Sequence, residues 1–454
     1  MKIDGNLFEK LTAYPHAILS WVGDDGYPEQ TPATFQVDPM RGEVLVHATG
    51  LPAPSDRDVN FTVSHIRPQP GIGYDQRRYI ELWGRLQARD GGYALAPRRA
   101  WGWDEKEMPF FEYSERSNDQ ARRYLRALSA EQDRQVKPRL SRFWTFLVAT
   151  RLPFLTATIV PILLGIAIAA KNDHFSWWLA VLTLIGGAAI HIGLNVANDV
   201  FDAISGADEA NVNPTQFSGG SRVIQRGLMT LRQMGALSLG AYAVGIAIGL
   251  FLVIYRGSLP LLIVGIIGVL LSVFYTAPPL KLVHRGLGEI TTALGFGPVM
   301  VVGAYLVQTK EWSAEPFVAS IPVAILIALI LYVNEIPDRN SDALVGKRTL
   351  PVRWSADLVT KAFLVSALGA FAAIAVAAII DVIPLPTLLA LLALPLVFEI
   401  YRGLRRWYSS PYDLMGIMGK NVQLHAMTGL LLLLGYVVTI VASHAFDSVP
   451  RILS

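Results

Sequence analysis

The chain has 454 residues, 52% hydrophobic and 17% charged, with a mean hydropathy of +0.39 and no cysteine. An ordinary soluble chain is about 25% charged, which excludes a single soluble domain. The missing cysteines exclude a disulfide framework, thiolate metal sites and thiol catalysis, and a formal charge of +3 is too small to argue for a nucleic-acid partner.

The charges are unevenly spread. Residues 1–143 hold 20 basic and 20 acidic side chains, which leaves 19 basic and 16 acidic for the remaining 311 residues. The first part is a soluble composition and the second a membrane composition, so an all-membrane protein is excluded as well. Met1–Lys10 is polar and lacks the apolar core of a signal peptide. The soluble part is therefore expected to stay in the cytoplasm.

That part opens on strand signals. His16–Gly23 is β-branched and aromatic, Asp24-Asp25-Gly26 supplies turn chemistry, and Thr31–Val37, Glu43–Thr49, Asn60–His65 and Tyr79–Ala88 alternate in the same way. Asp90-Gly91-Gly92 is a further hairpin signal. Strands this short at this spacing predict a small barrel or sandwich. From Ser117 or Asn118, either of which could cap it, a helix rich in Arg and Leu is expected through Ala130, with Pro138 marking the approach to the membrane.

Nine apolar stretches near the ~20 residues needed to span a bilayer follow, at 148–170, 176–199, 235–255, 259–276, 287–307, 316–336, 360–380, 384–401 and 424–443. Loops on the side of the amino-terminal domain carry fourteen Lys or Arg, and the opposite side carries Lys171, Arg256, Lys310 and Arg451. Positive charge marks the inner side, so the amino terminus is expected in the cytoplasm and the carboxy terminus outside. The predicted domains are 1–116, a β-rich soluble domain; 117–143, a helical linker; and 144–454, an all-α domain of nine transmembrane helices.

Carboxylates carry the functional signal, because a charge at mid-bilayer costs roughly 2.5–3.5 kcal/mol even on the lenient insertion scale. The second stretch runs into Asn195, Asn198, Asp199 and Asp202, followed by Asp208; the sixth runs into Asn334, Glu335, Asp338 and Asp342. Both ends face the cytoplasm in this topology. Helical spacing puts Asn195, Asp199 and Asp202 on one face, and likewise Asn334, Asp338 and Asp342. Asp199 and Asp338 stand 139 residues apart in similar surroundings, which suggests a weak internal repeat with a site between its halves.

Four converging carboxylates need positive charge between them. Carboxylate and amide oxygens without sulfur suit Mg²⁺. In the neighbouring loops, the small residues of Phe217-Ser218-Gly219-Gly220-Ser221-Arg222 let backbone N–H groups approach an anion. Arg222, Arg226, Lys281, Lys347 and Arg348 lie on the same side. Acidic residues with Mg²⁺, ringed by Arg and Lys, match the needs of a diphosphate, and an apolar tail explains the membrane setting. An isoprenoid diphosphate has both parts. Two alternatives come from the same residues: the acidic pairs as solvated helix ends, and the loop cations as orientation determinants only. His191 reads as a packed polar residue or as a member of the site.

The run Asn198-Asp-Val-Phe-Asp-Ala-Ile-Ser-Gly-Ala-Asp208 resembles the first aspartate-rich motif of the UbiA superfamily of intramembrane prenyltransferases, and Asp338-Arg-Asn-Ser-Asp342 resembles the second. The likeness covers about residues 145–445 and implies a nine-helix fold. It implies that Asn198, Asp199, Asp202, Asp338 and Asp342 bind the prenyl diphosphate through Mg²⁺. Many members place a third carboxylate four residues after the position of Asp202; here Gly206 stands there and Asp208 follows. Gly219–Ile224 with Gly227, Tyr275–Lys281, Asn334–Asp338 and Gly346–Leu350 are most similar to the 1,4-dihydroxy-2-naphthoate polyprenyltransferases of menaquinone synthesis. Other acceptors (4-hydroxybenzoate, a homogentisate-like ring, glycerol phosphate), a terpene cyclase and a membrane transporter are the alternatives.

His16–Val37, with Gly26-Tyr27-Pro28 after the turn, resembles the opening hairpin of the pyridoxamine 5′-phosphate oxidase-like split barrel, and Tyr79–Gly84 one of its later strands. That resemblance implies FMN at a homodimer interface, with Arg77 and Arg78 as candidate phosphate ligands. The alternative is a barrel kept for docking or stability.

Overall fold

A computed structural model describes residues 3, 5–24, 26–48, 58–68, 74–89, 92–108, 110–131, 133, 134, 136, 141–211, 215 and 217–447. The chain divides into two compact units, Met1–Lys137 and Pro138–Ser454.

In the first unit, α1 (Gly5–Leu11) precedes β1 (Ala17–Val22), β2 (Pro28–Asp38), β3 (Glu43–His47), β4 (Asp58–Pro68), β5 (Tyr74–Arg89) and β6 (Gly92–Asp104). The strands close into an antiparallel barrel in the order β1-β2-β3-β6-β5-β4, with β4 returning to β1 through Ala17↔Val63 and Leu19↔Phe61. Alternation does the sorting. Leu19, Val44, Val46, Phe61, Val63, Leu82 and Leu95 point inward, and Leu7, Phe8 and Leu11 of α1 join the same core. Of the two anticipated turns, Asp25, Asp90 and Gly91 lie outside the described residues, but Arg89 pairs with Gly92 and β1 pairs with β2 as a hairpin.

β6 is the strand that the Asp90-Gly91-Gly92 hairpin signal leads into, although no range was expected for it, and it contains Pro97. The structure absorbs that proline where the β5–β6 register shifts, with Gly84 opposite Pro97, since a bulge tolerates a missing N–H. α2 (Phe110–Glu131) begins ahead of the expected cap at Ser117 or Asn118. Aromatic docking sets its start: Tyr113 stacks on Trp103 and Trp101, and Trp103 Nε1 donates to the Met108 carbonyl at 2.8 Å.

The second unit is all-helical. It comprises α3 (Arg142–Thr150), α4 (Thr156–Lys171), α5 (Trp177–Ser205), α6 (Ala207–Ala210), α7 (Leu231–Arg256), α8 (Leu259–Thr276), α9 (Gly288–Leu294), α10 (Met300–Thr309), α11 (Ala314–Leu344), α12 (Leu350–Arg353), α13 (Ala356–Ile379), α14 (Leu394–Trp407) and α15 (Pro411–Asp447). Among the described residues, eight segments are long and apolar enough to cross a membrane: α5, α7, α8, Gly288–Thr309, α11, α13, Leu385–Trp407 and the greater part of α15. The protein is a multi-pass membrane protein.

Nine such spans were expected, and the first one differs. Arg151 takes a left-handed φ of 53° and Leu152–Leu155 forms a 3-10 turn, so stretch 148–170 is split. What remains, α4, is a 16-residue apolar helix. Pro153 in the turn has no N–H to continue a ladder. A π-turn at Gly295–Val299, containing Pro298, joins α9 to α10 for the same reason.

Two helices outrun their apolar stretches. α5 continues to Ser205 and α11 to Leu344, past the expected ends at 199 and 336. Asn198, Asp199 and Asp202 therefore lie in the last turns of α5, and Asp338 and Asp342 in the last turns of α11.

Candidate active site

The ends of α5 and α11 line one polar cavity of about 180 Å³. Asn195, Asn198 and Asp202 reach it from α5, and Asn334, Glu335, Asp338 and Asp342 from α11. Both motifs reach this cavity, whereas Asp199 is not among its lining residues. Asp199, Asp202 and Asp342 are at most 7% exposed.

Asp338 and Asp199 are held by separate local partners. Asp338 accepts from Asn211 Nδ2 at 2.8 Å and from the Gly219 N–H at 2.9 Å. Asp199 accepts from the Ser221 N–H at 3.1 Å through one oxygen, and its other oxygen is buried without a hydrogen-bond partner. The 217–222 run thus meets both motifs with backbone N–H groups, which its left-handed glycines permit. Gly220 has φ +73°, and a Cβ there would sit 3.0 Å from Asp199 Oδ1 and 3.1 Å from Asp208 Oδ1. Glycine is required at this point by both conformation and space.

The counter-ion is built in. Lys347 Nζ lies 2.7 Å from Asp202 and 3.6 Å from Asp342, while Asn198 donates to the other Asp202 oxygen at 3.0 Å. Gly346, at φ +78°, turns the chain after α11 and sends Lys347 back inward, with its N–H on the Asp342 carbonyl at 2.9 Å. Burial pulls the Lys347 ammonium down in pKa, but Asp202 and Asp342 outweigh that and hold it above its ordinary value.

Gly206 has a structural role. It caps α5 in the left-handed conformation, φ 76°, and the turn it makes brings Asp208 into the cavity wall on α6. Asp208 accepts from Gln225 Nε2 at 3.0 Å. Burial, with Asp202 and Asp199 nearby, pushes its carboxyl up to about 8.

The other expected cations lie elsewhere. Lys347 lines the cavity, whereas Arg222, Arg226, Lys281 and Arg348 do not. Arg222, at φ 60°, donates to the Asp208 carbonyl. The Arg348 N–H is fixed on the His284 carbonyl at 2.9 Å with its side chain exposed.

Arg151 takes their place. It lies inside the first expected span, where a count of loop charges overlooks it, and the left-handed break between α3 and α4 puts it on the cavity wall. Its guanidinium donates to the Phe217 carbonyl at 3.3 Å and lies 4.8 Å from the Phe154 ring. An Arg within an apolar run was the available signal. His191 accounts for one ring nitrogen with Thr158, 2.7 Å away, and faces Phe296 edge-on while lining the cavity.

Beside the polar cavity lies an apolar chamber of about 400 Å³ between α5, α7, α8 and α10. His191, Leu194, Tyr275, Thr292 and Phe296 line both.

Residues 158–444 match the UbiA prenyltransferase family. The chain belongs to this family. It is 26% identical over 302 residues to 2-carboxy-1,4-naphthoquinone phytyltransferase of Synechocystis sp., covering 66% of this chain and 94% of that protein. It is 27% identical over 301 residues to 1,4-dihydroxy-2-naphthoate octaprenyltransferase of Escherichia coli, covering 65% and 96%. A solved UbiA homolog from Archaeoglobus fulgidus bound to GPP and Mg²⁺ superposes with a TM-score of 0.45 at 14% identity, over 63% of this chain and 99% of that one. As a UbiA prenyltransferase, the protein is an enzyme that transfers prenyl groups.

Beside His191 and the cations Arg151 and Lys347, the polar cavity presents carboxylate and amide oxygens and no sulfur, donors that suit Mg²⁺. Among the described residues, no three His, Asp or Glu side chains converge to form a metal cage. Mg²⁺ is usually bound by one or two carboxylates together with substrate phosphates.

In the barrel, the two expected FMN ligands are engaged. Arg77 forms a forked ion pair with Glu105, Nε lying 3.1 Å from both carboxylate oxygens. The Arg78 guanidinium lies 5.9 Å from the Tyr14 ring centroid.

Proposed function

We propose that this enzyme transfers a polyprenyl group from a prenyl diphosphate to 1,4-dihydroxy-2-naphthoate, as in menaquinone synthesis, with Mg²⁺ as cofactor. The observation that carries this reading is a carboxylate- and amide-lined cavity that shares a wall with an apolar chamber. One substrate with a charged head and a long apolar tail fits both. The acceptor rests on the names of the two naphthoate- and naphthoquinone-directed relatives.

In this reading, Asp199, Asp202, Asp338 and Asp342 would hold Mg²⁺ against the diphosphate, with Asn195 and Asn198 beside them. The ion would supply charge neutralisation of the leaving group. Lys347 and Arg151 add fixed positive charge to the cavity wall, and Arg222, Arg226, Lys281 and Arg348 act at its approach. Preorganised charge of this kind favours departure of the diphosphate as the allylic C–O bond breaks. The electron-rich ring then forms the new C–C bond at the carbon that carries the carboxylate, which leaves as carbon dioxide. The apolar chamber shelters the allylic cation from water.

The clusters are proposed to face the cytoplasm of a cell membrane, following the charge distribution of the loops. Incubating the purified protein with labelled prenyl diphosphate, Mg²⁺ and the naphthoate tests the whole reading. A prenylated naphthol with release of carbon dioxide is expected. Transfer only to 4-hydroxybenzoate, a homogentisate-like ring or glycerol phosphate would replace the acceptor. A cyclised hydrocarbon formed without acceptor would replace the reaction class, and no turnover at all would favour a transporter. For the barrel, flavin absorbance in the purified protein would support FMN, and a dimeric mass in detergent would support pairing through this domain.

A further inference from the structure

The apolar chamber contains a matched pair of glycines whose presence packing does not explain. α7 and α8 run antiparallel through a tight turn at Gly257 and Ser258. Tyr242 and Ser272 share a hydrogen bond of 2.8 Å across them. Gly249 lies seven residues beyond Tyr242 and Gly265 seven residues before Ser272, so both stand at one depth, about 10 Å further from the polar cavity.

Both glycines line the chamber. A Cβ added at either would meet no heavy atom within 4 Å. Their neighbours behave differently: at Gly245 an added Cβ would lie 2.7 Å from Ile190 Cδ1, and at Gly268 2.8 Å from Val299 Cγ1. Gly245 and Gly268 let helices approach, whereas Gly249 and Gly265 leave empty space. Neither has a left-handed backbone. A helix interior disfavours glycine when nothing requires it. What these two residues preserve is the width of the chamber.

We propose that Gly249 and Gly265 gauge the length of the prenyl tail, keeping the chamber open to units that pass their level. The proposal rests on the reading of the chamber as the tail site. The chamber and the polar cavity share His191, Tyr275 and Phe296 in their walls, so a tail leaving the diphosphate site past these residues enters the chamber. Two isoprene units end short of the glycine pair; eight must pass it. A side chain at either position would project into that path and leave the head site untouched.

The test compares dissociation constants of geranyl diphosphate and octaprenyl diphosphate with Mg²⁺ for the full-length protein in detergent. Gly249→Leu and Gly265→Leu should each weaken octaprenyl binding relative to geranyl binding by about tenfold or more, with alanine giving a smaller change. Gly240→Leu, on α7 outside the chamber and equally unhindered, should leave the ratio unchanged. Leucine improves helix propensity, and thermal unfolding checks that each variant is folded. An unchanged ratio in both variants, or an equal loss for both donors, would overturn the gauge. Because binding needs no acceptor, a wrong acceptor assignment would appear separately, as absent turnover with the ratio shift intact.

Discussion

Lys347, from the loop after α11, places its ammonium 2.7 Å from the Asp202 carboxylate at the end of α5. The pair joins the two acidic motifs before any metal or substrate arrives, and both side chains are under 10% exposed. Removing one partner of a buried pair leaves an uncompensated charge. Lys347→Met should therefore cost about 3–5 kcal/mol of stability and abolish transfer. Thermal unfolding should show the Lys347→Met/Asp202→Asn double variant recovering most of that stability without recovering activity.

Asp199 and Asp338 each accept a backbone N–H from the 217–222 loop. Asp199→Ala and Asp338→Ala should lower transfer by about 10²–10³-fold or more, the scale of losing a group that stabilises developing charge. Both variants should remain folded in detergent. Chelation should abolish wild-type turnover, and Mg²⁺ should restore it. Near-normal turnover in either folded variant would remove that residue from the site.

Asp208 gives a pH signature. Its carboxyl is pushed up to about 8 by burial and by Asp202 and Asp199, from an ordinary 3.8. Between those values the folded state holds a proton that the unfolded chain has released. Stability from this group is thus lost progressively as pH rises through that window. Asp208→Asn should raise the unfolding temperature above pH 8, with the advantage fading toward pH 4. Melting curves across this range, in chelator, would show it; an equal effect at both ends would contradict it.

Arg151 lines the polar cavity from a left-handed break. Arg151→Gln should raise KM for the prenyl diphosphate by about tenfold, the loss of one charge-assisted contact, with a smaller change for the acceptor. Steady-state kinetics with each substrate varied in turn separates the two.

Glu81 offers a check on the soluble unit. Burial raises its carboxyl above the usual range despite Arg99 nearby. Glu81→Gln should stabilise the barrel at neutral pH and lose that effect as pH falls toward the ordinary carboxylate range. Domain-resolved hydrogen exchange would read the change.

Strand alternation and hydropathy are properties of neighbouring residues, so β1 to β5 and most membrane segments were legible in the sequence. β6 was signalled only by the hairpin residues before it, and its Pro97 sits opposite Gly84 at a register shift, a partner supplied by another strand. The first expected span is shortened to α4 for a related reason: its apolar content hid a backbone break at Arg151.

The sequence by itself determined a soluble part, a membrane part and two acidic motifs, since composition, period and spacing are carried along the chain. Only the tertiary structure decided which charges share the cavity. It turned Lys347 inward at Gly346 and brought Arg151 to the wall, while Arg348 stayed exposed and Arg222 bonded a carbonyl. A side chain's direction follows from backbone turns and from burial against distant segments, and neither is written in its neighbours. The low charge fraction marked the membrane, and the fold selected the few charges that meet in it.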